Sequence, residues 1–437
     1  MRKTTRSRRS NARNSSRGHA ARRPRLRADT VLPRRRVAAL ARSTGFTRRR
    51  RKVVALAFLV ALVFGFGVET VRSMASFQRF FTTITKLTMA RSAFQKKFSA
   101  RSVAFFRAVF LEACAHHALH LGTRLGGKLA RFKDVCAIDA TVIRLHDLLK
   151  KTYAATRTNH TKAAAKLHAV LSFSTRTITQ MAITAERIGD REFLKDLDWV
   201  TGRLLLFDLG YYAHTLFAAI DAKDGFFLSR LKDKVNPTIV GVRCGLARGQ
   251  RALGKRLFDI EFADGRPVDL DVRFGERADA PSFRLVGVYN QGARCWHLYV
   301  TNLPVRDFSP QELALLYRAR WEVELLFKEL KSTHRLDEID SAREAVVFTM
   351  LYATLLSLLI TRVLARRVEA QDAHGARRLS LRILSSYLIQ HAKSLAQAIL
   401  RGGRSLGSRL NAVGDDIGRT CRDPNPHRPS VLVRLSA

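Results

Sequence analysis

Two aspartates set in otherwise apolar, strand-like stretches constrain this chain more than any other feature. Asp139 lies in DVCAIDATVIRL (134–145) and Asp208 in RLLLFDLGYY (203–212). Short apolar runs bounded by turn residues read as buried strands. A carboxylate in such a strand is costly unless it gains an ion pair, backbone hydrogen bonds or a metal ion. For one such aspartate, an ion pair or hydrogen bonds are a sufficient account. Two of them, followed later by a helix with a third carboxylate, favour a metal cage.

That helix is YRARWEVELLFKELK, Tyr317 to Lys331. At roughly 100° per residue, Arg320, Glu324 and Lys331 fall about 60°, 20° and 40° from Tyr317. All four side chains therefore share one helix face, leaving Leu325, Leu326 and Leu330 mostly elsewhere. Surface ion pairs at this spacing are common in any helix, so the helix gains meaning only from the two upstream aspartates. Three carboxylates without a Cys/His cluster specify oxygen ligation, hence Mg²⁺ with Mn²⁺ as a substitute. Two such ions roughly 4 Å apart suit an in-line displacement at phosphorus. Tyr317, Arg320 and Lys331 beside Glu324 would hold phosphate oxygens.

Charge names the partner. Formal net charge is +42 with a pI near 11.3. No fold requires this; it points to a polyanion, nucleic acid before an anionic membrane. Residues 1–52 carry 20 Lys and Arg against one acid, Asp29, yet the rest of the chain still holds 58 basic and 35 acidic residues. The five cysteines are scattered and form no CxxC pair, which predicts reduced thiols and no zinc site.

The 437 residues are enough for two or three domains. Residues 1–52 have almost nothing to bury and read as a disordered basic tail. Three readings of the tail stand together: a DNA-binding arm, a product of an upstream start codon, or a transit peptide. Residues 53–130 read as a helical DNA-binding region. It opens on VVALAFLVALVFGFGV (53–68), which is shorter than the roughly 20 residues a bilayer span needs and is read as a buried helix, not a membrane anchor. Residues 131–232 alternate strands (134–145, 166–175, 177–189, 203–212, 225–232) with helical stretches, DREFLKDLDWV and AHTLFAAIDA, the pattern of a mixed α/β sheet. Residues 233–304 form a β-rich insertion. Helices return over 305–370, including EAVVFTMLYATLLSLLITRVLARRV as a core-covering helix. Residues 371–437 read as one helix over 379–400 and a loosely ordered basic tail.

The order strand-Asp, strand-Asp, β-rich insertion, helix-Glu resembles the DDE transposases, whose catalytic core is ribonuclease-H-like. The spacing Tyr-x2-Arg-x3-Glu-x6-Lys at Tyr317, Arg320, Glu324 and Lys331 is similar to the motif of the insertion-sequence-4 family. IDAT (138–141) and FDLGYY (207–212) are similar to that family's aspartate contexts, although Leu209 stands where an arginine is more usual. The resemblance spans roughly residues 55–370. It implies an α/β fold: a ribonuclease-H-like mixed sheet with helices, interrupted by the insertion and preceded by a small all-α domain. It implies catalysis by Asp139, Asp208 and Glu324 with two Mg²⁺ ions and no small-molecule cofactor. It implies cut-and-paste transposition of an insertion sequence, acting on transposon ends and target DNA as a homodimer on paired ends, in the prokaryotic cytoplasm with the nucleoid. Trp296 in CWHLYVTNLP would stack on a flipped base or else pack in the core. Arg230 and Lys232 in LSRLK would touch the DNA backbone, and His168 would serve packing or support of the site. Two other functions fit the residues less fully: a structure-selective nuclease on the same core, and a membrane-anchored basic protein.

Overall fold

The computed structural model describes residues 32–48, 55–65, 73–156, 161–247, 251–263, 265–371 and 378–425. Its helices are α1 (Arg34–Ser43), α2 (Ala55–Gly65), α3 (Met74–Thr85), α4 (Arg91–Gln95), α5 (Ala100–Leu121), α6 (His214–Asp221), α7 (Pro310–Tyr317), α8 (Trp321–Ser332), α9 (Glu344–Gln371), α10 (Leu381–Gln390), α11 (Ala392–Arg401) and α12 (Gly403–Thr420). Its strands are β1 (Asp134–Leu145), β2 (Ala163–Ser172), β3 (Thr177–Ala185), β4 (Arg203–Phe207), β5 (Phe226–Arg230), β6 (Thr238–Cys244), β7 (Val268–Arg273), β8 (Ser282–Asn290) and β9 (Cys295–Thr301).

All nine strands join one mixed sheet in the order β3-β2-β1-β4-β5-β9-β8-β7-β6. β1 pairs antiparallel with β2 and parallel with β4, and β4 pairs parallel with β5. The mixed ribonuclease-H-like core expected from the sequence is thus present. Among the described residues, the β-rich stretch builds no second sheet. β9 pairs antiparallel with β5, and β8, β7 and β6 follow outward.

Side-chain alternation then divides the core between the two faces of the sheet. On one face, Ala137, Leu204, Leu206 and Tyr299 pack with α2, α3, α5, α8 and α9. On the other, Ile138, Leu205, Phe207 and Val300 pack with α6 and the loop carrying Leu194, Leu197 and Tyr211. α9 passes through the first layer as its central helix; it is apolar and long enough to cross a bilayer, yet 89% of its most apolar window is buried in protein. α2 is likewise buried along its length, whereas Val53, Val54 and residues 66–68 of that apolar run lie outside the described residues.

Four expectations need correction. The basic N-terminal stretch is ordered from residue 32 to 48: α1 buries Val37 and Ala41, and Arg36 pairs with Glu112 at 2.7 Å. Apolar residues four apart were enough to dock a helix despite the surrounding arginines; residues 1–31 lie outside the described residues. The single helix expected over 379–400 breaks at His391. The expected loose tail contains α12, whose Leu406, Leu410, Val413 and Ile417 are buried against α9 to α11; residues 426–437 are not among those described. The stretch DREFLKDLDWV, expected as a helix, forms only a 3₁₀ turn over Asp190–Leu194.

Candidate active site

Strand register brings the two aspartates together. Ile138 of β1 lies opposite Phe207 of β4, so the next residue of each chain, Asp139 and Asp208, emerges at the same end of adjacent strands. Asp139 Oδ1 accepts the Ala140 amide at 2.8 Å. Asp208 caps the 3₁₀ turn Leu209–Tyr211, its side chain accepting the Gly210 amide at 3.5 Å. Gly210 lies close against Asp190: a Cβ on it would come to 2.5 Å of Asp190 Oδ2, so a larger residue there would make that carboxylate shift. Asp190 in turn is held by Lys166 Nζ at 2.7 Å.

The third carboxylate arrives on α8. The segment 317–331 is not one continuous helix. α7 ends at Tyr317, Arg318–Arg320 form a 3₁₀ turn, and α8 begins at Trp321. Such interruptions occur where a helix is adjusted to a site. Tyr317 is buried, and its hydroxyl donates to the Phe207 carbonyl at 3.0 Å. Burial pushes that hydroxyl up to about 12. At the far end, Lys331 Nζ donates to the Val142 carbonyl of β1 at 2.7 Å and lies 3.8 Å from Asp337. Tyr317 and Lys331 therefore pin the α7–α8 segment to β4 and β1. In this state the Tyr317 hydroxyl is turned inward, whereas Lys331 stays partly exposed at the edge of the site.

Arg320 sits among the acids. Its Nη1 is 3.6 Å from Asp139 Oδ2 and 3.7 Å from Asp208 Oδ1, and its Nη2 donates to Glu324 Oε1. The guanidinium also lies over the Tyr317 ring, 5.7 Å from its centroid. Burial opposes the Arg320 charge, but Tyr317, the Glu324 hydrogen bond and Asp208 outweigh it, so its affinity for the proton is raised. Asp139 is pushed up to about 6, first by burial and then by Asp208 and Glu324, against the Ala140 amide and Arg320. The donor chemistry, three carboxylates at strand and helix ends, fits a hard divalent cation. Among the described residues, no three acidic, His or Cys side chains are closed up around an ion position; here the carboxylates are gathered around a guanidinium.

The remaining candidates separate. Arg230 at the end of β5 shares a face with Tyr299, its register partner, and its charge acts on His297, Tyr299 and Tyr317. Arg230 Nε is buried without a hydrogen-bond partner. Lys232 is exposed beyond the strand end. Trp296 points to the opposite face of the sheet, packing edge-on against Phe262 and Tyr289 at 5.1 and 5.4 Å. It is only half-buried, but the acids lie across the sheet from it.

Three residues escaped the sequence reading. Trp321, directly after Arg320, is 57% exposed on the first turn of α8, with Leu325 also exposed one turn on. Arg318 is exposed and adds its charge to the Arg230 side of the site. Tyr211 is fully buried and meets His168 Nδ1 at 2.9 Å, while His168 Nε2 meets Thr184 Oγ1 at 2.9 Å. The helical spacing of Trp321 and Leu325 suits core or surface alike, as does a tyrosine at the end of an apolar run such as Tyr211; only the packing sorts them.

Comparison with known proteins adds family membership to this geometry. The chain is 21% identical to the transposase for insertion sequence element IS1151 of Clostridium perfringens, over 74% of this chain and 76% of that one. It is 20% identical to the transposase for IS231B of Bacillus thuringiensis subsp. berliner, covering 91% of each. A shorter stretch of 60 residues is 37% identical to the transposase for IS421 of Escherichia coli, covering 14% of this chain and 16% of that one. Among solved structures, a piggyBac transposase synaptic complex with hairpin DNA overlays on 91% of this chain and 85% of that one, with TM-score 0.46 and 10% identity. The family model for the transposase DDE domain matches residues 130–360, a span that holds Asp139, Asp208, Arg320 and Glu324 and more than half of the sequence: the chain belongs to the DDE transposase family.

Proposed function

We propose that this chain is the transposase of an insertion sequence, moving its element by a cut-and-paste route. The observation that carries the reading is the convergence of Asp139, Asp208 and Glu324 at adjacent element ends, around one guanidinium and inside the span matched by the family. Asp139, Asp208 and Glu324 would hold two Mg²⁺ ions, or Mn²⁺ in their place. Bound there, the ions would supply Lewis-acid activation of the attacking oxygen and charge stabilisation at the leaving 3′-oxygen. Arg320 and Lys331 would receive phosphate oxygens on rearrangement, with Tyr317 fixing the helix that carries them. Arg230, Lys232 and Arg318 would extend the cationic wall along the bound strand. The exposed Trp321 ring, next to these charges, offers a stacking surface for an unpaired base; Trp296, on the far face, would reach DNA only where the duplex wraps the outer strands. The first cut frees a 3′-hydroxyl, which attacks the opposite strand to give a hairpin end; after the hairpin is reopened, it joins target DNA. A homodimer on paired ends, working at the nucleoid, completes the reading.

The test is a joining assay with the full chain, Mg²⁺, an end-containing DNA and a supercoiled target. Joined products are expected from the wild type and none from Glu324→Gln. Nicked DNA without joined product would instead favour a structure-selective nuclease. Short inverted repeats bounded by a direct duplication around the coding region would support the reading independently.

A further inference from the structure

The protein contains two kinds of arginine–carboxylate pairing, and their difference is informative. Arg284 meets Asp269 as a fork, Nε to Oδ1 at 3.0 Å and Nη2 to Oδ2 at 2.7 Å, with both side chains buried. Its Nη1 reaches the carbonyls of Leu303 and Pro304 at 3.3 Å. This is a permanent structural pair, with geometry and hydrogen bonds satisfied. Arg320 is nearly as enclosed, with 13% of its side chain exposed, but makes one hydrogen bond, to Glu324. Its distances of 3.6 and 3.7 Å to Asp139 and Asp208 are too long for hydrogen bonds. Its Nε and Nη1 are buried with no acceptor at all. Buried donors left unpaired are costly, so Arg320 is held by net charge and not by fit.

What holds it is three carboxylates with a single guanidinium between them. A divalent ion shared by those carboxylates at roughly 2.1 Å bonds takes the region that Nη1 now neutralises. Ion and guanidinium are like charges, and both draw on the same three carboxylates. The two orphan N–H donors of Arg320 match what a phosphate accepts.

We propose that Arg320 is an internal counter-ion that competes with the divalent metal for Asp139, Asp208 and Glu324, and that a DNA phosphate, by taking the guanidinium, releases the carboxylates to the metal. The inference rests on the metal-site reading above. It makes metal and DNA binding mutually reinforcing, each raising the other's affinity by the same factor. Without DNA the acids stay neutralised; with DNA in place the same arginine becomes a phosphate contact. The Tyr317 ring under the guanidinium offers a fixed surface along which it can swing.

Mn²⁺ titration followed by the electron paramagnetic resonance signal of the free ion tests this without any cleavage. The full chain is measured as wild type, Arg320→Gln, Arg320→Lys and Asp139→Asn, each with and without a short duplex, after subtracting Mn²⁺ bound by the duplex alone. Arg320→Gln without DNA is expected to bind the site Mn²⁺ at least fivefold more tightly than wild type. Arg320→Lys, which keeps the charge, is expected to stay near wild type. Adding the duplex is expected to tighten Mn²⁺ binding to wild type but not to Arg320→Gln. Unchanged Mn²⁺ affinity in Arg320→Gln overturns the counter-ion role. The wild-type arm stands even if that variant folds poorly: Mn²⁺ affinity indifferent to the duplex overturns the coupling. If Asp139→Asn leaves Mn²⁺ binding unaltered throughout, the metal-site reading itself fails and takes this inference with it.

Discussion

The Tyr317 hydroxyl donates to the main-chain carbonyl of Phe207, at 3.0 Å and out of solvent. Phe207 immediately precedes Asp208. One hydrogen bond therefore joins the helical segment that brings Glu324 to the strand that brings the second aspartate, and with the Lys331 contact to β1 it fixes where that segment sits.

Tyr317→Phe removes that buried bond to the Phe207 carbonyl. The cost in stability is about 1–2 kcal/mol. Loss of activity should be larger, at least tenfold in DNA cleavage, because misplacement of a group by about 1 Å is felt strongly in the reaction. Thermal unfolding and a single-turnover cleavage assay report the two effects separately. Cleavage that falls no further than stability does would show the bond to be structural only.

Glu324→Gln keeps the shape of the side chain and its place beside Arg320 while removing one acid. DNA affinity should stay within about twofold, since that term comes from phosphate contacts. Cleavage and joining in Mg²⁺ should disappear. Gel-shift and cleavage assays on one preparation decide it, and retained cleavage would remove Glu324 from the chemistry.

Asp139 carries a pH signature. Its folded carboxyl titrates at about 6, above the value near 3.9 expected in the unfolded chain. Between these values the folded state binds more protons than the unfolded one, so stability falls as pH rises from about 4 to 6 and then levels off. Asp139→Asn stays neutral throughout. Without metal it should be more stable than wild type by about 3 kcal/mol at pH 7, with the gap closing near pH 4. Urea unfolding at the two pH values measures this; a gap that is equal at both refutes it.

His168 ties β2 to the loop behind Asp208 through Tyr211, and burial holds its ring down to about 4. It is neutral at working pH and should act by position. His168→Phe should destabilise by about 2 kcal/mol and lower turnover on DNA while leaving DNA affinity within twofold. The pH profile of the remaining activity should keep its wild-type shape between pH 6 and 8. A lost or shifted ionisation in that range would mean His168 takes part in proton movement.

Much of this site was legible in the residues. An aspartate inside CAIDAT and another inside LLLFDLG could only be strand-borne and in need of a partner, and the register of β1 against β4 sets them side by side. The helix with Glu324 was legible from its spacing. The 3₁₀ turn at Arg318–Arg320 was not, since steps of three and four suit either helix type over so short a run. Nor were the partners of Tyr317 and Lys331, which are main-chain carbonyls on other elements. α1 and α12 were hidden by arginine and glycine, residues that lower apparent hydrophobicity or helix propensity, although apolar side chains at three- and four-residue steps dock both. The pairing of β5 with β9 joins residues some seventy positions apart, and no local pattern announces it.

That pairing decides what can be cut away. With β9 in place, β5 has neighbours on both sides. A shortened protein made by excising 233–304 would expose its row of unpaired amides and carbonyls, a template for self-association. The outer strands thus work as a cover for the seam beside the acids, and a minimal soluble catalytic fragment of this chain has to carry them along.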